Sequence, residues 1–260
     1  MPSPIKRAKS LCLSTAVLWL VAGVAHSQPL IDEKLNDHQV GAIEPGTYEA
    51  GDSVHFTLDP LGNAFLFHIA GEREVFVLRP EHASLGGRLL KYDSGDTALQ
   101  VSGWGAMTLY TDTQPQGLAA VRDGDSTAPV PQLISLSDTE RAAEDESQHL
   151  AYADRINIQF SCDWNALSGD ANARALVFDE LQNAGEAIDQ VVRVDPARTA
   201  LVHKIAEVKL ALANSDAVSL RGRTLVVGVN AAKGYAGRAS SREIARTLTK
   251  LLSVRQAANP

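Results

Sequence analysis

The sequence predicts an α+β fold: an N-terminal antiparallel β meander forming a small barrel or sandwich, followed by a strand-helix-strand-strand-helix layer. Three observations carry this. Short apolar alternations recur about every ten residues from Asp52 onward, the spacing of an all-β unit with tight turns. Residues 171–192 instead repeat their apolar positions at helical spacing. The composition, 45% hydrophobic and 21% charged over 260 residues, is that of a globular chain with material for one large or two small cores.

In the front half, DSVHFTLD (52–59), NAFLFHIA (63–70) and EREVFVLR (72–79) read as strands bounded by Pro, Gly, Asn or Asp. Val54, Phe56 and Leu58 share one face of the first while His55 and Thr57 take the other, the period of a half-buried strand. Phe65, Phe67 and Ile69 repeat the pattern in the second. GRLLKYD and TALQVSGWGAMTLYT continue the series, with Gly103 and Gly105 around Trp104 suggesting a bulge or close backbone crossing, and GLAAVR adds one more strand. DGDSTAPVPQ is a linker by composition. Ser137 and Glu140 then match a capping box opening a polar helix, ERAAEDESQHLAYA, whose acids lie toward its start, where the helix dipole favours them.

The back half begins with a strand, RINIQFSC. In the long helix that follows, Ala175, Leu176, Phe178, Leu181, Ala184, Ala187, Ile188 and Val191 trace one face. Asp195 and Pro196 open a short helix, Asp as cap and Pro in the first turn. EVKLALA and RTLVVGV are two strands joined through NSDAVSLRG, and a terminal helix runs from Ser240 or Ser241 to about Val254, with a second capping box from Ser240 to Glu243. The expected arrangement is helices on one face of a small antiparallel sheet. The chain thus divides into residues 1–27, an extended segment 28–51, a β-rich domain 52–130, a linker and polar helix 131–152, and an α+β domain 153–260.

Residues 1–27 read as an export leader. Lys6, Arg7 and Lys9 precede an apolar run, LCLSTAVLWLVAGVA, shorter than the roughly 20 residues of a transmembrane helix, and Ala25-His26-Ser27 supply small residues for cleavage before Gln28. Cys12 precedes the apolar run, the reverse of a lipobox. Loss of the leader leaves 21 bases against 31 acids, a formal charge of −10, and one cysteine, Cys162, in an apolar setting that suits an inert thiol. The expected location is periplasmic or secreted, with no transmembrane segment after cleavage. Charge is uneven: −9 over residues 28–130, −4 over 131–150 and +3 over 151–260, so opposite fields are available to hold two units together.

GWGAMTLYTDTQPQGLAAV (103–121) and GVNAAKGYAGRASSREIARTL (228–248) resemble the most recognisable stretches of a family of exported proteobacterial proteins described only as a domain of unknown function. The resemblance covers roughly residues 46–255. It implies a secreted or periplasmic location and no established activity, so no catalytic residue carries over. The end of the chain is also similar to the peptidoglycan-binding domain of outer-membrane proteins, but Asn230-Ala231-Ala232-Lys233 stands where that family's G-H-T-D motif belongs.

The candidate site is Lys233-Gly234-Tyr235-Ala236-Gly237-Arg238-Ala239-Ser240-Ser241-Arg242, between a strand and a helix. Free backbone N–H groups and the positive end of the helix dipole converge there, an arrangement that cradles anions. Lys233, Arg238 and Arg242 add cationic donors, Gly234 and Gly237 allow close approach, and Ser240 and Ser241 supply hydroxyls. Between Arg221 and Arg255 stand eight bases and one acid. The spacing fits neither G-x-x-x-x-G-K-[ST] nor G-x-G-x-x-G, and no cofactor is implied. His55 and His68 lie on adjacent strands on their polar faces, with Asp52, Asp59, Glu72 and Glu74 near. No metal-ligand spacing completes them, so no metal is assigned. There is no G-x-S-x-G elbow, and no S-x-x-K after the leader. The acidic balance disfavours nucleic acid, and the terminal stripe of Ile244, Leu248, Leu251 and Leu252 suits a sheet better than a lipid surface. The function these features suggest is a non-enzymatic, envelope-associated binding or accessory module whose partner is an anionic envelope component or an envelope protein. The alternatives are a hydrolase with its site between the units, or anionic-glycan binding through the basic loop.

Overall fold

The computed structural model describes residues 42–253. The leader with its cleavage site and Cys12 lie outside the described residues. Eight antiparallel strands form a closed barrel in sequence order: β1 (Gly46–Ala50), β2 (Val54–Leu61), β3 (Ala64–Ile69), β4 (Val75–His82), β5 (Arg88–Lys91), β6 (Thr97–Val101), β7 (Met107–Leu109) and β8 (Leu118–Gly124). The meander is therefore a barrel. It closes through β1, which precedes the first strand visible as an alternation and pairs with both β2 and β8. Around Trp104, Ser102–Gly105 is a tight hairpin turn, with Gly105 at φ 90° and its N–H bonded to the Ser102 carbonyl, the three-residue loop that ends in a glycine bulge; a Cβ on Gly105 would meet nothing within 4 Å, so no backbone crosses there.

Alternation fills the barrel with apolar side chains. Phe56, Leu58, Phe67, Leu78, Leu90, Leu99 and Leu109 are buried inside, with Tyr48 stacked on Phe56 at 5.0 Å and Tyr92 edge-on to Phe76 at 5.0 Å. Glu49, His55 and Gln100 stand outside and exposed. Among the described residues no helix is long and apolar enough to cross a membrane.

The second unit has its own core. Helix α1 (Leu136–His149) is capped by Ser135, whose hydroxyl oxygen accepts the Asp138 N–H at 3.1 Å and whose hydroxyl donates to the Asp138 carboxylate at 2.6 Å, so the cap lies two residues before Ser137. A wider π turn, Leu150–Asp154, extends it. Next come β9 (Gln159–Cys162), the short α2 (Trp164–Leu167), the long α3 (Ala171–Val192), α4 (Asp195–Lys204), β10 (Glu207–Leu212), β11 (Val218–Arg221), β12 (Thr224–Val229) and α5 (Ser241–Ser253). Pro196 sits in the first turn of α4 as expected, but Val194, not Asp195, holds the cap position.

The four strands form one sheet in the order β11-β12-β10-β9, and here the expectation of an antiparallel sheet is corrected. β10 runs parallel to β9 and to β12; only β11, inside the segment read as a connection, is antiparallel. The long α2–α4 excursion between β9 and β10 is the crossover that parallel neighbours need. Phe160, Val208, Leu210, Leu225 and Val227 are buried on one face beneath the helices, while Lys209 is exposed on the other. Alternation of this kind normally marks antiparallel sheets, because parallel ones are usually covered on both faces.

Candidate functional site

In a meander, alternate hairpins share one end of the barrel. The connections after β3, β5 and β7 therefore sit together, and they carry Glu74, Asp93 and Asp112 to the segment joining β12 to α5.

The predicted cap forms. The Ser240 hydroxyl oxygen accepts the Glu243 N–H at 3.1 Å. The other half of the capping box does not, because Glu243 turns to Arg246 at 2.8 Å and Thr247 at 2.9 Å. Asp93 takes its place: its Oδ2 accepts the Ser240 N–H at 2.8 Å and its Oδ1 accepts the Ser240 hydroxyl. One residue on, Glu74 repeats the pattern, accepting the Ser241 N–H at 2.9 Å and its hydroxyl at 2.5 Å. The anion-binding capacity of this helix start is used by two of the chain's own carboxylates.

Arg238 is buried. Its guanidinium donates to the Val75 carbonyl at 3.0 Å, lies 3.4 Å from Asp179, and sits 4.7 Å from the centre of the Tyr235 ring. Behind it Glu180, fully buried on α3, accepts the Ala239 N–H at 3.3 Å, and the Asn183 amide donates to the Ala239 carbonyl at 3.1 Å. Burial dominates the titration of these acids. It pushes Glu74 up to about 7 against the opposing hydrogen bonds from Ser241, and raises Asp93, Asp179 and, most strongly, Glu180, against the pull of Ser240 on the first and of Arg238 on the other two.

Arg242 differs from its neighbours because it faces an open groove. The groove encloses about 550 Å³ at the junction of barrel and α5; Tyr92, Asp96, Gln100, Tyr110, Asp112 and Arg242 line it. The Arg242 guanidinium lies 4.6 Å from the centre of the Tyr92 ring and donates to Asp112 at 2.8 Å. Asp112 is 81% exposed, whereas the Arg242 side chain is 22% exposed.

Of the predicted residues, Arg238, Ser240, Ser241 and Arg242 converge on the barrel. Gly237 packs so tightly that a Cβ would lie 2.0 Å from the Asn230 carbonyl oxygen, and Gly234 adopts φ 55°, ψ −135°, a conformation open to glycine. Lys233 is exposed, away from this convergence. His55 and His68 are not paired: His68 faces Thr57, while the His55 carbonyl bonds Ala70, and the His68 Nε2 is 2.9 Å from the Glu72 carbonyl oxygen. Glu74 and Asp59, offered as partners for those histidines, bond Ser241 and Ser126 instead. Cys162 carries a thiol that burial pushes up to about 11.

Sequence reasoning missed Glu74, Asp93, Glu180 and Asn183 as members of the joint. A signal existed for two of them: Glu180 and Asn183 interrupt the apolar row of α3 beside Leu176, Ala184 and Ala187.

No curated protein and no solved structure matches the chain. A family model does match, over residues 30–248, which takes in the whole barrel and the second unit as far as Leu248 in α5. The chain belongs to that family, described as a domain of unknown function (DUF4908).

Proposed function

We propose that this chain is an exported envelope protein, periplasmic or secreted, acting as a non-enzymatic binding module that holds an anionic glycan in the groove between barrel and α5. The observation that carries this is Arg242. Its stem and Tyr92 contact orient the guanidinium, while its carboxylate partner, Asp112, is so exposed that the pair contributes at most about 1 kcal/mol, so an incoming carboxylate or phosphate can replace it. Gln100, Tyr110, Thr97 and Thr111 offer hydrogen-bonding groups along the same groove, as a polyhydroxylated ligand requires. In this reading Arg238, Ser240 and Ser241 build the joint that fixes Arg242, Gly234 and Gly237 shape the loop, and Lys233 adds positive field at the surface. The leader read in residues 1–27 supports the location.

The test is titration of the chain from Gln28 onward with uronic-acid and phosphorylated oligosaccharides, compared with their neutral counterparts, for the native sequence and Arg242→Ala. Saturable binding of the acidic forms, weakened at least tenfold by the substitution, supports the reading. Equal affinity of both proteins for every oligosaccharide overturns it. For location, expression of the full sequence in a Gram-negative host should yield a protein beginning at Gln28 outside the cytosol; intact chain retained in the cytosol would reject export.

A further inference from the structure

A second constellation lies in the helix-sheet unit, where α1 ends against α3. His149 is the last residue of α1. The π turn that follows ends at Arg155, a non-glycine residue held at φ 56°, ψ 39°. This tight return brings Asp154 back beside His149, and Asp189 reaches the same point from α3. One ligand atom from each of the three lies within 4.8 Å of the others, and the His149 Nε2 is 3.2 Å from Asp189 Oδ2. Two carboxylates thus meet at an imidazole.

The local charge is unbalanced. Asp189 Oδ1 is buried and makes no hydrogen bond, and a carboxylate oxygen taken from water without a donor calls for a cation or a proton. Glu146, one turn before His149, adds a third carboxylate. Its side chain occupies space left by Gly185, where a Cβ would stand 2.3 Å from its Oε2, so a glycine in mid-helix makes room for the acid one turn from Asp189.

We propose that His149, Asp154 and Asp189 form a binding site for a divalent first-row cation, with Glu146 beside it to complete or orient the ligand set. An imidazole nitrogen with two carboxylates suits Zn2+ or Mn2+; an all-oxygen cage would favour Ca2+ or Mg2+, and thiolates are absent from the cluster. The three ligands join α1, the π turn and α3, so the ion would add a further tie to segments already in contact through His149 and Asp189. The exposed side of His149 leaves an approach from solvent. No sequence motif announces the site, because Asp189 joins the other two only through the packing of α3 on α1.

The experiment is equilibrium dialysis of the metal-stripped chain from Gln28 onward against Zn2+ and, separately, Mn2+, with thermal unfolding in each. The expected result is one bound equivalent of at least one ion at micromolar or tighter affinity and a raised Tm in its presence. His149→Ala and Asp189→Asn, verified as folded by circular dichroism, should each weaken binding at least tenfold and abolish the Tm rise. If either fails to fold, Asp154→Asn takes its place. Absence of saturable binding for both ions overturns the site, as does undiminished binding by the folded variants, which would locate the ion elsewhere on the chain. Neither result touches the glycan groove, which lies at the barrel.

Discussion

Asp93 and Ser240 stand 147 positions apart, yet one carboxylate of the first accepts both the N–H and the hydroxyl of the second. A residue of the barrel thereby completes the cap of a helix in the other unit. The pair is charge-assisted and largely shielded from water, so each bond exceeds the value of a neutral surface one. Asp93→Ala is expected to destabilise the protein by about 2–4 kcal/mol, and Asp93→Asn, which retains one acceptor oxygen, by about 1–2 kcal/mol. Urea denaturation of the three proteins gives the comparison.

Stability should fall as pH rises through neutrality. Glu74 has an ordinary value of 4.5 and a folded value of about 7, so the folded state holds its proton more tightly than the unfolded chain does. That contribution is fully present below 4.5 and is lost as pH climbs through 7, an effect of about 1–3 kcal/mol. Asp93, Asp179 and Glu180 shift in the same direction. Urea midpoints should therefore be lower at pH 8 than at pH 5, and Glu74→Gln should shrink that difference.

Arg238→Ala should be among the most damaging single substitutions in the joint, costing about 3–5 kcal/mol, since it leaves Glu180 and Asp179 without their buried cation. The loss should be partly recovered in Arg238→Ala/Glu180→Gln, because the second change removes the carboxylate that the first leaves uncompensated. A double-mutant cycle on unfolding free energies tests for this non-additivity.

Gly237→Ala would press a methyl group onto the Asn230 carbonyl, which is itself bonded to the Lys233 N–H, and Gly234→Ala would hold an ordinary residue at φ 55°, ψ −135°. Gly237→Ala is expected to cost about 1–3 kcal/mol by overpacking against backbone, and Gly234→Ala about 1–3 kcal/mol by backbone strain. Thermal unfolding separates Gly237→Ala from Gly222→Ala, which, like Gly234→Ala, carries the strain of a positive φ with open space around the new methyl.

Cys162 should react with a disulfide reagent at pH 8 at least tenfold more slowly in the folded chain than in urea, because a thiol pushed up to about 11 presents little thiolate. Following the absorbance of the released thiol in the chain from Gln28 onward checks it.

The legible parts of the fold were those written in local periodicity. Phe56 and Leu58 announced an inward face, and Ser240 announced the start of α5. β11 was not legible: its residues Val218, Ser219 and Leu220 are all half-buried, so no alternation forms. The direction of β10 is not written locally, because Val208 and Leu210 alternate with an exposed Lys209, as in a one-sided antiparallel sheet. At the candidate site the basic loop was visible as a cluster, but what occupies its donors was not. Glu74 and Asp93 come from hairpins far up the chain, and only the barrel's topology brings them within reach of Ser241 and Ser240.

Closure of the barrel imposes an order of events on folding. Ala50 can pair with Val54 as soon as the first hairpin turns, but its other neighbour, Ala120, is the far end of the ring. Until that strand arrives, β1 keeps one row of amides and carbonyls bare, and the ring is an open ribbon able to recruit a stranger's strand. A chain released or cut before Leu118 is thus expected to clump with its own kind instead of settling into a smaller barrel.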